Sequence, residues 1–240
     1  MRLPKRITWQ HVRRLYEALE PFLKAQPAKA SQPDRGRVLV LAPHIDDEVI
    51  GCGGSLRKHV LAGDEVSVLY FADCAAERRK EAEEAAGILG IRDLGFLDFR
   101  SKTLLDNQGP AAGLAAAMAG HRPDIVYLPS LFDRHNDHMA VNHLLCRWYE
   151  KELRDITVCG CEIWTTFAPN LVVDISDTVE TKRSALGCFR SQLSVRDWQD
   201  AAISLNRFRG ITSNAGGYAE GFLRFRMKDY HAVWKKVYAG

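Results

Sequence analysis

The sequence has no GxxxxGK[ST] loop, no GxGxxG turn and no GxSxG elbow, so the signatures of P-loop phosphoryl transfer, dinucleotide redox chemistry and serine hydrolysis are missing. Gly51-Cys-Gly-Gly54 fits none of them. No apolar run approaches the roughly 18 residues of a membrane span, and the first residues lack a signal peptide's hydrophobic core. The expectation is a soluble, cytoplasmic protein. Six cysteines are scattered without a disulfide framework, in keeping with a reducing compartment. Cys159-Gly-Cys161, the one close pair, lacks CxxC spacing and reads as small buried strand residues. Charge of one sign is scarce too: 33 basic against 30 acidic residues leave +3, of which residues 1–36 carry +5 and the remainder −2. That arm has no sustained Lys/Arg block and reads as an amphipathic helix, so no specific nucleic-acid partner is expected.

What is present is enough chain for one ordinary domain, 240 residues with 46% hydrophobic content. Trp9 to Leu23 reads as a helix, and the Ala/Pro/Ser-containing stretch Ala25 to Asp34 as a linker. Residues 1–36 are therefore expected to form an N-terminal helical arm and linker, and residues 37–240 the main domain. Arg37 to Ala42 is an apolar run suited to a strand covered on both faces. Glu48 to Ala62 follows as a helix whose Gly51, Gly53 and Gly54 permit close packing. Glu65 to Phe71 and Ala76 to Leu89 repeat the strand–helix order, with later strands around Leu94, Ile125 to Leu128 and Cys159 to Phe167. Ala111 to Ala119 and Met139 to Leu153 read as the intervening helices, and Thr178 to Phe189 and Trp198 to Phe208 as helices of a C-terminal part. The expected fold is a three-layer, Rossmann-like α/β domain with a mostly parallel central sheet and a compact C-terminal extension.

Two groups of ionisable residues stand out. Pro43-His-Ile-Asp-Asp-Glu48 directly follows the first buried strand, where α/β proteins place active-site loops. Burying so many ionisable groups is costly unless metal, hydrogen bonds or solvent compensate. The second group, Asp133-Arg-His-Asn-Asp-His138, follows the apolar segment ending at Leu128. If the two strand ends are neighbours, His44, Asp47 and His138 can form a two-histidine, one-carboxylate site with a zinc position left open for water.

These residues resemble the LmbE/PIG-L family of zinc-dependent N-deacetylases. The family's His-Pro-Asp-Asp-Glu run is matched by His44-Ile45-Asp46-Asp47-Glu48, and its His-x-Asp-His signature by His135-Asn136-Asp137-His138. The likeness extends over roughly residues 37–225, through Leu89-Gly90, Arg190-Ser-Gln192 and Tyr218-Ala-Glu-Gly-Phe222. It implies metal ligation by His44, Asp47 and His138, with Zn2+ or another divalent metal such as Fe2+. It further implies Asp46 as general base and His135, when protonated, as the group assisting the oxyanion or leaving group. Arg78, Asp98 and Tyr218 fall at positions suited to substrate contact, each with a structural alternative: helix-surface charge, loop stabilisation and packing. Ile45 replaces the family's usual proline, Ala72 to Ala76 lacks the glycine-rich form frequent after the second strand, and the N-terminal extension is additional. That extension suits packing on the core or contact between copies in a homo-oligomer.

The function implied is hydrolysis of an N-acetyl group from an amino sugar or sugar conjugate, releasing acetate and a free amine without an organic redox cofactor. The alternatives are a hydrolase of a non-sugar amide in specialised metabolism, and a noncatalytic metal- or carbohydrate-binding protein.

Overall fold

The computed structural model describes residues 8–23, 26–106 and 108–238. Eight strands form one sheet: β1 (Ala28–Ala30), β2 (Val38–Ala42), β3 (Val66–Ala72), β4 (Asp93–Phe99), β5 (Ile125–Pro129), β6 (Thr157–Cys161), β7 (Leu171–Asp174) and β8 (Ala219–Arg226). Their spatial order is β1-β7-β8-β6-β5-β2-β3-β4, and every pairing is parallel except those of β8 with β6 and β7. This is the α/β, Rossmann-like architecture expected. The C-terminal part is compact and shares the sheet, with β8 inserted between β6 and β7.

Helices cover both faces. Along β2, Leu39 and Leu41 point into one apolar cluster while Val38, Val40 and Ala42 point into the other, so the continuous apolar run is explained by burial on both sides. The first cluster is closed by α1 (Trp9–Leu19), α4 (Gly109–His121), α5 (Asn136–Glu152) and α9 (Met227–Tyr238). The second is closed by α2 (Asp47–Leu61), α3 (Ala76–Leu89), α6 (Val179–Leu186) and α8 (Trp198–Ser213), with the short α7 (Arg190–Leu193) between the last two.

Three local departures have physical causes. The stretch read as a linker carries β1, because edge pairing needs only backbone groups: Ala28 N–H donates to Asn170 O at 2.9 Å. The strand expected over Cys159 to Phe167 ends at Cys161, where buried Glu162 turns the chain back by accepting from Phe167 N–H at 3.1 Å. The helix α9 lies beyond the segments assigned from sequence and packs against α1, burying Leu15, Leu19 and Trp234 in one cluster.

From β2 the chain winds outward through β3 and β4, then returns to lay β5 on the other side of β2 and β6 beyond it. The switch point therefore lies between β2 and β5. In open α/β sheets this crevice at the strand C-termini receives ligands.

Candidate active site at the switch point

The turn after β2 carries His44 to Glu48, and the turn after β5 carries Asp133 to His138. Asp46 precedes α2 with φ of 116°, a left-handed strain that a side chain bears only where its surroundings hold it. Three groups hold it. Asp46 N–H donates to Glu48 Oε2 at 3.2 Å, Glu48 Oε1 accepts from Tyr70 Oη at 2.8 Å, and Arg78 Nη2 donates to Ile45 O at 3.0 Å. Asp47 and Glu48 occupy the first turn of α2, where the helix dipole favours carboxylates.

α2 breaks at Cys52 (φ −147°, ψ 16°). A fully buried ion pair repairs the break: Lys182 Nζ donates to Ile50 O and to Glu220 Oε1, while Glu220 accepts from Gly54 N–H and Ser55 N–H. The glycines expected to allow close packing do so at two contacts. A Cβ on Gly51 would stand 2.8 Å from Cys161 Cβ, and one on Gly54 would stand 2.8 Å from Ile175. The helix start is thus pressed onto β6 and fixed in direction.

The two turns converge as the sequence suggested. Asp47 Oδ2 lies 3.2 Å from His44 Nδ1 and 3.2 Å from His138 Nε2, and it accepts from His44 N–H at 2.9 Å. Ligand atoms about 2.0–2.1 Å from one zinc in a tetrahedron stand roughly 3.3 Å apart. The far nitrogen of each histidine meets its own carboxylate: His44 Nε2 is 3.0 Å from Asp137 Oδ2, and His138 Nδ1 is 3.0 Å from Asp133 Oδ2. Such carboxylate–histidine pairs fix ring orientation at metal sites. His138 is fully buried, and neither of its nitrogens makes a hydrogen bond of good geometry. A buried imidazole nitrogen aimed at a carboxylate without bonding it is what a shared cation resolves. His44, His135 and His138 also bring one nitrogen each within 4.8 Å of one another, so a His-rich cluster capable of coordinating a divalent metal such as Zn2+ is present.

The electrostatics follow from this crowding. Burial opposes charge on His138, but Asp47 and Asp133 outweigh it and raise the imidazole to about 10. Burial likewise opposes His44, and hydrogen bonds to Asp137 and Asp47 raise it to about 9. Asp47 is buried yet held well below the usual carboxylate range by His138 and His44. Asp46 moves the other way: burial, with the charges of Asp47 and Glu48, pushes its carboxyl well up. Burial also lifts Glu48 to about 7.

Burial and the neighbouring His138 and His44 lower the pKa of His135 below the ordinary imidazole value. Its Nδ1 accepts from Asp137 N–H at 3.3 Å as the cap of α5, which leaves the ring proton on Nε2.

Of the three residues suited to substrate contact, Arg78 stands beside Asp46 and also donates to Asp73 O at 3.3 Å. Asp98 accepts from Cys74 N–H at 2.9 Å and from Arg79 Nη2 at 3.0 Å, bracing the loop after β3. Tyr218 lies between β7 and β8 with its ring beneath Arg207 and its N–H donating to Ser176 Oγ at 3.0 Å. Two residues went unassigned from sequence although they stand inside the second motif. Asp133 also accepts from His135 N–H and Trp164 N–H, and Asp137 also accepts from Ser101 Oγ at 2.6 Å and Lys102 N–H at 2.7 Å. The two-residue offset of Asp133 from His135 and the adjacency of Asp137 to His138 were the available signals.

Residues 39–149 match the PIG-L family, described as GlcNAc-PI de-N-acetylase. The diacetylchitobiose deacetylase of Thermococcus kodakarensis is 26% identical over 215 residues, covering 76% of this chain and 80% of that protein. The N,N'-diacetylchitobiose deacetylase structure from Pyrococcus horikoshii superposes with a TM-score of 0.72 at 26% identity, covering 94% and 96% of the two chains. The conserved protein TT1542 from Thermus thermophilus gives 0.70 at 29% identity over 78% and 93%. Both motifs converge at the switch point of the matching fold, and the chain is similar to PIG-L/LmbE-like deacetylases, with the family match over residues 39–149.

Proposed function

We propose that this protein hydrolyses the acetamido group of an N-acetylated amino sugar or sugar conjugate, releasing acetate and the free amine. The observation that carries this reading is the convergence of His44, Asp47 and His138 around an unpaired, buried imidazole nitrogen, with Asp46 on a strained backbone in the same turn as His44 and Asp47. Relatives named for diacetylchitobiose deacetylation support the amino-sugar substrate.

His44, Asp47 and His138 would hold the metal. Zn2+, or another divalent metal such as Fe2+, supplies Lewis-acid polarisation of the acetamide carbonyl and acidifies water in its vicinity. Asp133 and Asp137 keep the two imidazoles turned inward. Asp46 accepts a proton from water as the water oxygen adds to the carbonyl carbon. Its raised basicity suits that task, and Arg78 beside it limits how far the carboxyl is neutralised beforehand. His135 donates a hydrogen bond from Nε2 to the carbonyl oxygen as negative charge gathers there, acting as a neutral donor. When the C–N bond breaks, protonated Asp46 returns its proton to the departing nitrogen and is ready for another cycle. Arg78, by its place beside Asp46, and Asp98, on the adjoining loop, are proposed to face the sugar, and Tyr218, just before β8, is proposed to contact a more distant part of the substrate.

The test is acetate release from N-acetylglucosamine and N,N'-diacetylchitobiose by metal-reconstituted protein, beside a panel of non-sugar acetamides. Acetate matched by free amine from the sugars, absent after chelation, supports the reading. Turnover confined to the non-sugar panel replaces the sugar assignment.

A further inference from the structure

The turn after β6 reaches the metal cluster although it belongs to neither motif. Its base is clamped: Arg209 of α8 pairs with Glu162 and donates to Phe167 O at 2.6 Å, while Phe167 N–H donates to Glu162. Between those two residues stands Trp164, whose N–H donates at 3.1 Å to Asp133 Oδ2, the oxygen that also faces His138 Nδ1. The indole lies 5.7 Å from the His135 ring, within the range of aromatic contact. Trp198 meets the indole edge-on at 5.1 Å, and the Arg196 guanidinium rests over its face at 4.9 Å.

Trp164 is nonetheless 47% exposed. Exposure of that size gives hydrophobic burial a weak hold on the ring, yet a backbone hydrogen bond, an edge-on indole and a cation fix its place. That place is beside the most loosely tethered ring of the cluster. His44 and His138 each face two carboxylates at 3.0–3.2 Å. His135 Nδ1 accepts from Asp137 N–H at 3.3 Å and stands 3.8 Å from the Asp137 carboxylate. Three rings border His135: His44 at 4.8 Å, His138 at 4.9 Å and Trp164 at 5.7 Å. The first two would be held by the metal, so Trp164 is the border that the fold itself supplies.

We propose that Trp164 is a positioning residue, its indole holding the His135 ring in the orientation that aims Nε2 at the carbonyl oxygen during hydrolysis. The proposal rests on the hydrolytic reading of His135 and adds what keeps that donor aimed. Trp164 then acts on kcat, through His135, and leaves metal ligation alone. A donor displaced by about 1 Å loses much of its hold on developing charge, so a residue without substrate contact has a large effect.

The experiment measures kcat and KM for acetate release by zinc-loaded wild type, Trp164→Ala, Trp164→Phe, His135→Ala and the Trp164→Ala/His135→Ala double variant. Trp164→Ala is expected to lower kcat by roughly 10–100-fold with KM changed less than about twofold and zinc content unchanged. Trp164→Phe is expected to recover most of the loss, and the double variant to be no slower than His135→Ala. A raised KM with kcat intact makes Trp164 a substrate contact, loss of zinc makes it a support for the ligands, and losses that multiply in the double variant make it independent of His135; each overturns the proposal. Nitrogen NMR of histidine-labelled, zinc-loaded protein separates the positioning role from the deacetylation reading. His135 is expected to show one tautomer, protonated on Nε2, in wild type and a tautomer mixture in Trp164→Ala, because a ring that swings free loses the Asp137 N–H that selects the tautomer. An unchanged His135 tautomer in Trp164→Ala overturns the positioning role, whereas failure of every acetamide to release acetate overturns the deacetylation reading and leaves the NMR result to decide for Trp164.

Discussion

His138 and His59 are both fully buried histidines with an aspartate alongside, and they sit at opposite ends of the same sheet. His59 has both nitrogens satisfied, Nδ1 by Asp64 at 2.8 Å and Nε2 by Tyr127 Oη at 3.0 Å, and burial lowers its pKa. His138 has two carboxylates and no good hydrogen bond, and its pKa is raised to about 10. Concavity does not separate the two ends: the cavity near Asp64, Asp93 and His121 is about 490 Å3, against about 200 Å3 for the one beside Trp198. The difference is convergence. At the switch point two turns, each opening a helix, aim ligands at one spot; at the other end each histidine closes a private pair. His59 has a partner at each ring nitrogen, whereas both nitrogens of His138 face carboxylates without a hydrogen bond.

Breaking the C-terminal end should cost activity before stability. Asp46→Ala is expected to lower acetate release by about 10²–10⁴-fold while bound zinc, measured by elemental analysis, stays at one per chain. Asp133→Asn removes the carboxylate behind His138 and should weaken zinc retention by roughly 10–100-fold in a chelator competition. At the opposite end, His59→Phe strands the Tyr127 hydroxyl and should cost about 1–3 kcal/mol in denaturant unfolding, with zinc affinity unchanged. If His59→Phe released zinc, the separation of the two ends would be wrong.

The pH dependence sharpens the contrast because the signs oppose. His44 and His138 have folded pKa values of about 9 and 10, above the ordinary imidazole. In metal-free protein their stabilisation is complete below about 6.5 and is lost as pH rises through about 9 to 10. Zinc must displace those protons, so its apparent affinity climbs over the same range. Asp64 behaves inversely: burial works against its charge, yet hydrogen bonds from His59 and Arg35 hold it below its ordinary value. Its contribution is present above that ordinary value and lost as pH falls through the lower, folded one. Unfolding measured against pH, with and without zinc, reads the two trends as separate limbs.

The sheet, its parallel sense and the two site loops were legible because fully apolar runs such as Val38–Ala42 admit few other placements, and because both motifs follow such runs directly. β1, β7 and α9 were not. The first two are short edge-side strands held by backbone pairing, and the third is recruited by α1 across the whole length of the chain. His44, Asp47 and His138 were legible as a set, whereas Asp133 and Asp137 were not, since their roles depend on which histidine nitrogen each faces. The break in α2 and its repair by Lys182 and Glu220 likewise join residues far apart in sequence, with no local pattern to announce them.

Titrating metal-free protein with zinc while following acetate release from an N-acetylated amino sugar tests the central claim most directly. The account expects activity to rise linearly and saturate at one zinc per chain, with one amine formed for each acetate. Protein holding one zinc at His44, Asp47 and His138 that released no acetate from any acetamide would contradict it.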